Sequence, residues 1–268
     1  MAVLELTFRS EVLTFDQNVT VILPEPENLS LSKRETPFTE PLPVLYLLHG
    51  YSDDHTAWLR RSSVERYMTM GTAKPMVCVC PSVQNSFYTD MEYGWKYFTY
   101  LTEELPRLLS RWVRISTKPE DTFIAGLSMG GYGTMKLALT YPERFAAAAA
   151  FSGVLNIWKS GIDNPENDLR AFNVFGCGRS QLKGTKHDIY QLLDDAIASG
   201  KPLPKLYSAC GTKDFLYENN LEFRDYALAK GDALDYSYSE TEDLAHEWAF
   251  WDAEIEKLLN WLPVRDVR

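Results

Sequence analysis

A serine in a glycine-rich stretch is the first sign of chemistry in this sequence. Residues 123–134 read FIAGLSMGGYGT, in which Ser128 lies between Gly126 and Gly130 in the pattern Gly-x-Ser-x-Gly. An apolar run precedes the serine and a helical pattern follows it, which is the setting of a nucleophile on a sharp turn from a strand into a helix. Side chains two positions to either side would collide in that turn, so the flanking glycines have a steric reason. The pattern predicts that Ser128 is a nucleophile.

A serine nucleophile needs a histidine as general base and a carboxylate that orients the histidine. The chain has four histidines. After a serine at such a turn, the acid and then the histidine follow along the chain, which excludes His49 and His55. His187 lies in an irregular polar stretch and is interpreted as a solvated loop residue. His246 opens the segment HEWAFWDAEIEKLLNWL after the last strand pattern and is the predicted base.

The orienting acid is predicted to be Asp214. It lies in KLYSACGTKDFLY, just beyond an apolar run that ends in Gly211. Three other aspartates have the required chain order and remain alternatives: Asp232, Asp235 and Asp243. The first two lie at the start of the next strand pattern, which is the opposite edge of a parallel sheet, and the third is only three residues before the histidine.

The carbonyl oxygen that a serine attacks develops negative charge and needs preorganised N–H donors. One donor is predicted to be the amide of Met129, directly after the nucleophile at a helix start. The second is expected in the loop LLHGYSDDHTAWL, where Gly50 permits a turn and the amide of Tyr51 is the candidate.

The same loop contains the segment HGYSDDH (residues 49–55), whose histidines and aspartates are metal-ligand types. Neither a helical HxxxH spacing nor a later cluster of carboxylates and histidines completes a metal site. The sequence therefore predicts no metal and no cofactor.

These residues need elements that bring them to one edge of a sheet. Two alternating segments, VLELTFRS and NVTVILP, predict antiparallel strands at the start of the chain. Six further runs predict mostly buried strands: PVLYLLHG, MVCVCP, TFIAGLS, AAAAAFSG, KLYSACG and DYSYSET. Helical spacing is found in Met91–Val113, which Pro106 should kink or divide, and in Gly130–Tyr141, Glu218–Lys230 and His246–Leu262. This alternation predicts the α/β class, with a mostly parallel central sheet and helices on both faces.

The whole chain, residues 1–268, is predicted to be one domain. The segment Leu155–Lys201 breaks the alternation with polar loops and short helical pieces, and we expect it to form a small cap or lid inserted in that domain. The proline-rich stretch Pro24–Pro43 is expected to be an exposed loop.

Charge and composition exclude several classes of partner. The net charge is −10 and no basic cluster is longer than the pair Arg60-Arg61, so neither a nucleic acid nor an anionic membrane is an expected partner. The first residues, MAVLELTFRS, lack the features of a signal peptide, and the run AAAAAF is too short to span a bilayer. Four cysteines without metal or disulfide spacing suit a reduced core. The predicted location is the cytoplasm.

With these residues placed, the sequence resembles the esterase D-like branch of the α/β-hydrolases, most closely the tributyrin esterases and their acetyl and feruloyl esterase relatives. The resemblance spans Leu45–Trp251 except around Leu155–Lys201. The matching segments are LLHGYSDDHTAWLRRSSVERY, SFYTDMEYGWKYFTYLTEELP, TFIAGLSMGGYGTMKLAL, CGTKDFLYENN and HEWAFWD. It implies an α/β-hydrolase fold and a carboxylesterase of short-chain acyl esters. It also implies a site made of Ser128, Asp214 and His246 with the amides of Tyr51 and Met129.

Other functions stay open. The same branch is similar to the S-formylglutathione hydrolases and the mycolyl acyltransferases, so a thioesterase or an acyl transfer to an alcohol is an alternative. A non-catalytic binding module is a third hypothesis, which the complete set of serine, acid and histidine disfavours. Members of this branch commonly form homo-oligomers, and the resemblance extends that expectation to this chain.

Aromatic residues are the candidates for substrate contact. We predict that Trp58, Trp95 and Trp158, with Tyr51 and Phe87, line a pocket that favours small acyl groups or aromatic and sugar-linked esters. The alternative for each tryptophan is a place in the hydrophobic core.

Overall fold

The computed structural model describes residues 2–24, 38–69, 73–159 and 169–267. Within these ranges one eight-stranded sheet has the spatial order β1-β2-β4-β3-β5-β6-β7-β8. The strands are β1 Ala2–Arg9, β2 Asp16–Leu23, β3 Val44–Leu48, β4 Val77–Pro81, β5 Thr122–Leu127, β6 Ala147–Phe151, β7 Lys205–Gly211 and β8 Tyr236–Thr241. The first two strands are antiparallel to their neighbours, and the pairings from β4 through β8 are parallel.

Helices cover the sheet. They are α1 Ala57–Arg61, α2 Val64–Thr69, α3 Tyr97–Thr99, α4 Leu105–Trp112, α5 Met129–Thr140, α6 Leu169–Phe175, α7 Ile189–Ala198, α8 Tyr217–Leu228 and α9 Trp248–Trp261. Among the described residues no helix is long and apolar enough to cross a membrane.

The central strands have no solvent-facing side. Every residue of β3, β4 and β6 is buried, because helices pack on both faces and divide the apolar residues into two cores. Unbroken apolar runs are what such strands require. The prediction of an α/β-hydrolase fold with a mostly parallel sheet and helices on both faces is confirmed.

Pro106 changes the helix that contains it, as predicted. A π-helical segment, Tyr100–Glu104, joins α3 to α4, and the proline lies in the first turn of α4. A proline ring collides with the carbonyl four residues earlier in a regular α-helix, and a wider turn relieves that contact. The carbonyl of Thr102, which is that group, accepts a hydrogen bond of 2.9 Å from Nη1 of Arg144 instead.

Two irregular stretches are only partly described. Of the predicted loop Pro24–Pro43, residues 25–37 lie outside the described residues, and so do residues 160–168 of the expected cap. The rest of the segment between β6 and β7 contains α6, a short 3₁₀ turn at Arg179–Leu182 and α7.

Candidate active site

Ser128 lies on a strained turn between β5 and α5. Its backbone has φ 55° and ψ −116°, a conformation that costs a non-glycine residue about 1–3 kcal/mol. The two flanking glycines leave no room for a side chain. A Cβ atom on Gly126 would lie 2.6 Å from the carbonyl of Gly130, and one on Gly130 would lie 2.6 Å from the carbonyls of Leu48 and His49. The Gly-x-Ser-x-Gly pattern therefore has the steric origin predicted for it.

Three side chains form a hydrogen-bonded chain at the carboxyl edge of the sheet. Nε2 of His246 is 3.0 Å from Oγ of Ser128, and Nδ1 of the same ring is 2.9 Å and 3.1 Å from the two carboxylate oxygens of Asp214. Asp214 accepts only at its oxygens when ionised, so Nδ1 carries the proton and Nε2 is free to accept one from the serine. This is the geometry of a general base next to a nucleophile.

The imidazole of His246 is held between two aromatic rings. The ring centroids of Phe215 and Trp251 lie 4.5 Å and 4.9 Å from that of the histidine. Trp251 is itself fixed, because its Nε1 donates a hydrogen bond of 3.1 Å to Oγ of Ser152. The acid is fixed as well, since Oδ1 of Asp214 also accepts from the amide of Leu216 at 2.8 Å.

The three alternative aspartates have other surroundings. Asp243 pairs with Lys213 at 2.6 Å, and Asp235 lies 3.7 Å from Lys205 across exposed side chains. Asp232 is in an exposed 3₁₀ turn before β8. Of these four aspartates, all within the described residues, only Asp214 is hydrogen-bonded to His246.

The two residues predicted to supply oxyanion donors, Tyr51 and Met129, line the same cavity as the serine. Met129 is the first residue of α5, where a helix leaves its N–H groups without intrahelical acceptors. In the described part of the chain, neither the N–H of Met129 nor that of Tyr51 has a backbone or side-chain acceptor. Both residues line the cavity beside Ser128.

A buried histidine holds the loop that carries Tyr51. Nδ1 of His49 donates a hydrogen bond of 2.7 Å to the carbonyl of Gly50, and Nε2 accepts one of 3.1 Å from the amide of Val83. The hydroxyl of Tyr88 donates to the carbonyl of His49 at 2.8 Å. Burial lowers the pKa of His49, so the ring is held neutral. Because the carbonyl and the N–H of one peptide point in opposite directions, the bond to Gly50 also fixes the direction of the Tyr51 N–H.

The other residues considered as metal ligands have structural contacts. Asp53 forms an ion pair with Arg60. Asp54 accepts from the amide of Thr56 at 2.8 Å, and His55 lies 3.4 Å from Glu5.

The cavity around Ser128 has a volume of about 320 Å³. The aromatic and charged side chains of its walls are Tyr51, Asp53, Phe87, Arg170, Arg179, Phe215, Trp248 and Trp251. Of these eight, the sequence indicated only Tyr51 and Phe87 as pocket residues. Trp248 and Trp251 are three residues apart on α9 and share a face, so helical spacing could have paired them. We find no local signal for Arg179, which is 3% exposed and comes from the segment between β6 and β7.

The three tryptophans predicted to bind substrate do not line this cavity. Trp58 is fully buried, and its Nε1 donates to the carbonyl of Leu48 at 3.1 Å. Trp95 is 45% exposed and packs edge-on against Phe15. Trp158 is partly buried under the ammonium groups of two lysines, Lys159 and Lys183. Of the five aromatic residues named for the pocket, Tyr51 and Phe87 line it.

His187 is buried, so the prediction of a solvated loop residue was wrong. Its Nδ1 accepts a hydrogen bond of 3.1 Å from Nζ of Lys136, a buried lysine of α5. Burial and this cation lower the pKa of His187 to about 3, and burial lowers the pKa of Lys136 to about 7. The polar residues around His187 in the sequence gave no indication of its contact with Lys136, which forms only in the folded chain.

The sequence matches the model of one protein family. The Esterase family model, described as putative esterase, matches residues 10–262. The chain belongs to this family. The resemblance to esterases that the motifs indicated is confirmed.

Individual relatives are similar along nearly the whole chain. An acetyl esterase of Caldicellulosiruptor saccharolyticus is 32% identical over 98% of each chain. The structure of FphF, a fluorophosphonate-binding serine hydrolase of Staphylococcus aureus, is 37% identical with a TM-score of 0.83, and the match covers 97% of this chain and 98% of that one. An S-formylglutathione hydrolase, FrmB of the same organism, has the same identity and coverage with a TM-score of 0.81. This member of the family is a serine hydrolase that acts as a carboxylic ester hydrolase.

Proposed function

We propose that this esterase hydrolyses short-chain acyl esters, with Ser128 as nucleophile, His246 as general base and Asp214 as the group that orients the histidine. The observation that supports the proposal is the hydrogen-bonded chain from Asp214 through His246 to Ser128 at the wall of a cavity.

The first half-reaction forms an acyl-enzyme. Oγ of Ser128 attacks the ester carbonyl while Nε2 of His246 removes its proton, and the carboxylate of Asp214 stabilises the imidazolium that results. The carbonyl oxygen becomes negatively charged and accepts hydrogen bonds from the amides of Tyr51 and Met129. When the tetrahedral intermediate collapses, the imidazolium gives its proton to the departing alkoxide, and the alcohol leaves.

The second half-reaction repeats these roles with water. His246 removes a proton from water, whose oxygen attacks the acyl carbonyl, and the same two amides hold the second oxyanion. Collapse releases the carboxylic acid and returns the proton to Oγ of Ser128. Because a protonated imidazole cannot act as base, hydrolysis should fall at acid pH.

The cavity favours a small acyl group. Its volume of about 320 Å³ is near the lower end of ligand pockets, which span about 300–1,000 Å³. The aromatic rings of Phe87, Phe215 and Trp251 limit the space beside the serine. We propose that these rings, rather than Trp58, Trp95 and Trp158, set the acyl length.

The test is hydrolysis of p-nitrophenyl acetate, butyrate, octanoate and decanoate by the wild type and by Ser128→Ala. We expect the two short esters to be preferred and the variant to lose at least about a thousandfold in kcat. Ser110→Ala, which changes an exposed serine of α4, is the matched control and should keep full activity. A fully active Ser128→Ala enzyme, or a preference for decanoate, would contradict the proposal.

A thioesterase activity on S-formylglutathione is a second candidate. Two arginines, Arg170 and Arg179, line the cavity and could approach the carboxylates of such a leaving group. The similarity to an S-formylglutathione hydrolase supports this candidate. Comparing kcat/KM for S-formylglutathione and p-nitrophenyl acetate distinguishes the two, and adding methanol to the assay measures acyl transfer as the partition between methyl ester and free acid.

Three broader proposals accompany this function. Residues 155–201 form a cap on a single domain of residues 1–268, since Arg170 and Arg179 of that segment line the cavity. The chain works in the cytoplasm, which suits its four unbridged cysteines. It forms homo-oligomers, which size-exclusion chromatography with light scattering would detect.

A further inference from the structure

A second cavity lies against the central strands of the sheet, away from Ser128. It has a volume of about 280 Å³ and extends along β3 and β5 from their first residues, Val44 and Thr122. Buried aliphatic side chains form its walls, among them Leu101, Ile124 and Leu137. No residue lines both cavities, and the catalytic one opens at the other ends of these strands.

The mouth of this second cavity carries a cation. The exposed side chains there are Thr117, Pro119 and Arg144. The guanidinium of Arg144 is held by its bond to the Thr102 carbonyl and by the ring of Tyr141, 4.1 Å below it. Within the described ranges no carboxylate forms an ion pair with Arg144.

One tyrosine hydroxyl lies among the aliphatic walls of this cavity. Tyr46, on β3, lines the cavity and is 8% exposed. No described residue forms a hydrogen bond with its hydroxyl, and burial raises its pKa, so it remains a neutral donor. A neutral hydroxyl adds no charge to the interior, so among the lining residues Arg144 at the mouth is the group that can hold an anion.

We propose that this cavity is a second binding site, which takes a medium-chain monocarboxylate. The chain of the acid lies against the aliphatic walls, where its burial is favourable, and the carboxylate binds the guanidinium of Arg144 at the mouth. The volume of the cavity is sufficient for such an acid. A dry apolar cavity of about 150 Å³ holds one benzene molecule, and this cavity is nearly twice as large.

The test is calorimetric titration of sodium octanoate into enzyme whose Ser128 has been blocked with a small phosphonate. We expect one octanoate per chain with a Kd below about 1 mM. Arg144→Gln should weaken the affinity at least about tenfold, because it removes a charge-assisted hydrogen bond. The matched control is Arg107→Gln, which removes an exposed arginine of α4 outside the cavity and should bind as the wild type does.

A second variant separates loss of the site from loss of the fold. Thr117→Trp adds a large ring at the exposed mouth and should abolish octanoate binding while leaving the melting temperature unchanged. The proposal is overturned if octanoate fails to bind, if blocking Ser128 removes all binding, or if Arg144→Gln and Arg107→Gln have the same affinity.

Discussion

Replacing His49 tests how the proposed oxyanion donor, the amide of Tyr51, is held in place. The imidazole makes two hydrogen bonds, to the carbonyl of Gly50 and from the amide of Val83. Each is worth about 1 kcal/mol net. In His49→Ala the peptide between Gly50 and Tyr51 loses the bond that orients it, and its N–H can turn away from the serine.

The magnitude follows from these bonds. If the lost hydrogen bond weakens transition-state stabilisation by about 1 kcal/mol, the rate falls about fivefold. Complete loss of one oxyanion donor lowers the rate about 100- to 1,000-fold. We therefore expect kcat to fall between about 5-fold and 100-fold in His49→Ala. KM should change little, because the hydrogen bond from Tyr51 strengthens only as charge develops on the oxygen.

The assay is hydrolysis of p-nitrophenyl acetate, with the melting temperature measured in parallel. His49→Asn is the informative partner variant, since its amide can still donate to the Gly50 carbonyl but cannot reach the Val83 amide. We expect the asparagine variant to keep more of the wild-type kcat than the alanine variant. A folded His49→Ala enzyme with wild-type kcat would refute the positioning role, and equal losses in both variants would assign the effect to packing alone.

Three further variants probe other parts of the structure. Asp214→Asn should lower kcat about 10⁴-fold with little change in KM, because the amide favours the wrong tautomer of His246; a loss below tenfold in steady-state kinetics would exclude the assigned acid. Gly130→Ala should lower the melting temperature and abolish activity, since its Cβ would lie 2.6 Å from the backbone oxygen of Leu48; an active, stable variant would mean that the turn can relax. Lys136→Met should change how stability depends on pH. The folded-state pKa of Lys136 is lowered to about 7, whereas an unfolded lysine keeps its proton up to about pH 10. Between these two pH values the unfolded state binds more protons than the folded state. The wild type therefore gains stability as the pH rises. From pH 7.5 to 9.0 the wild type should gain about 2 kcal/mol relative to the variant in urea unfolding, and parallel pH curves would show that Lys136 titrates normally.

The fold and the hydrogen-bonded chain were predictable because their signals are local. Each buried strand appears as a short apolar run, and Gly126 and Gly130 mark the turn because no other residue fits there. The order of acid and histidine after Ser128 follows from parallel strands that end at one edge of the sheet. These features need no knowledge of which side chains meet across the core.

The cavity lining was not predictable for the opposite reason. Whether a tryptophan faces substrate or the core depends on the helix packed above it, so Trp58 and Trp251 could not be distinguished by composition. Arg179 enters the cavity from an irregular segment whose path no periodicity describes. His187 was assigned to solvent because its neighbours in sequence are polar, but its neighbour in space is Lys136.

The environments of three histidines explain why His246 is the one proposed as the base. His49 is neutral and has both ring nitrogens occupied by backbone groups, so it can hold a loop but cannot exchange a proton with substrate. His187 faces a lysine, and a neighbouring cation opposes the positive charge that a base must acquire. One ring nitrogen of His246 is hydrogen-bonded to the carboxylate of Asp214 and the other to the hydroxyl of Ser128. When the ring accepts a proton from the serine, the carboxylate therefore stabilises the imidazolium. In the proposed mechanism the same residue type therefore serves as a positioning group, a structural acceptor and a base, according to the charge that each ring faces.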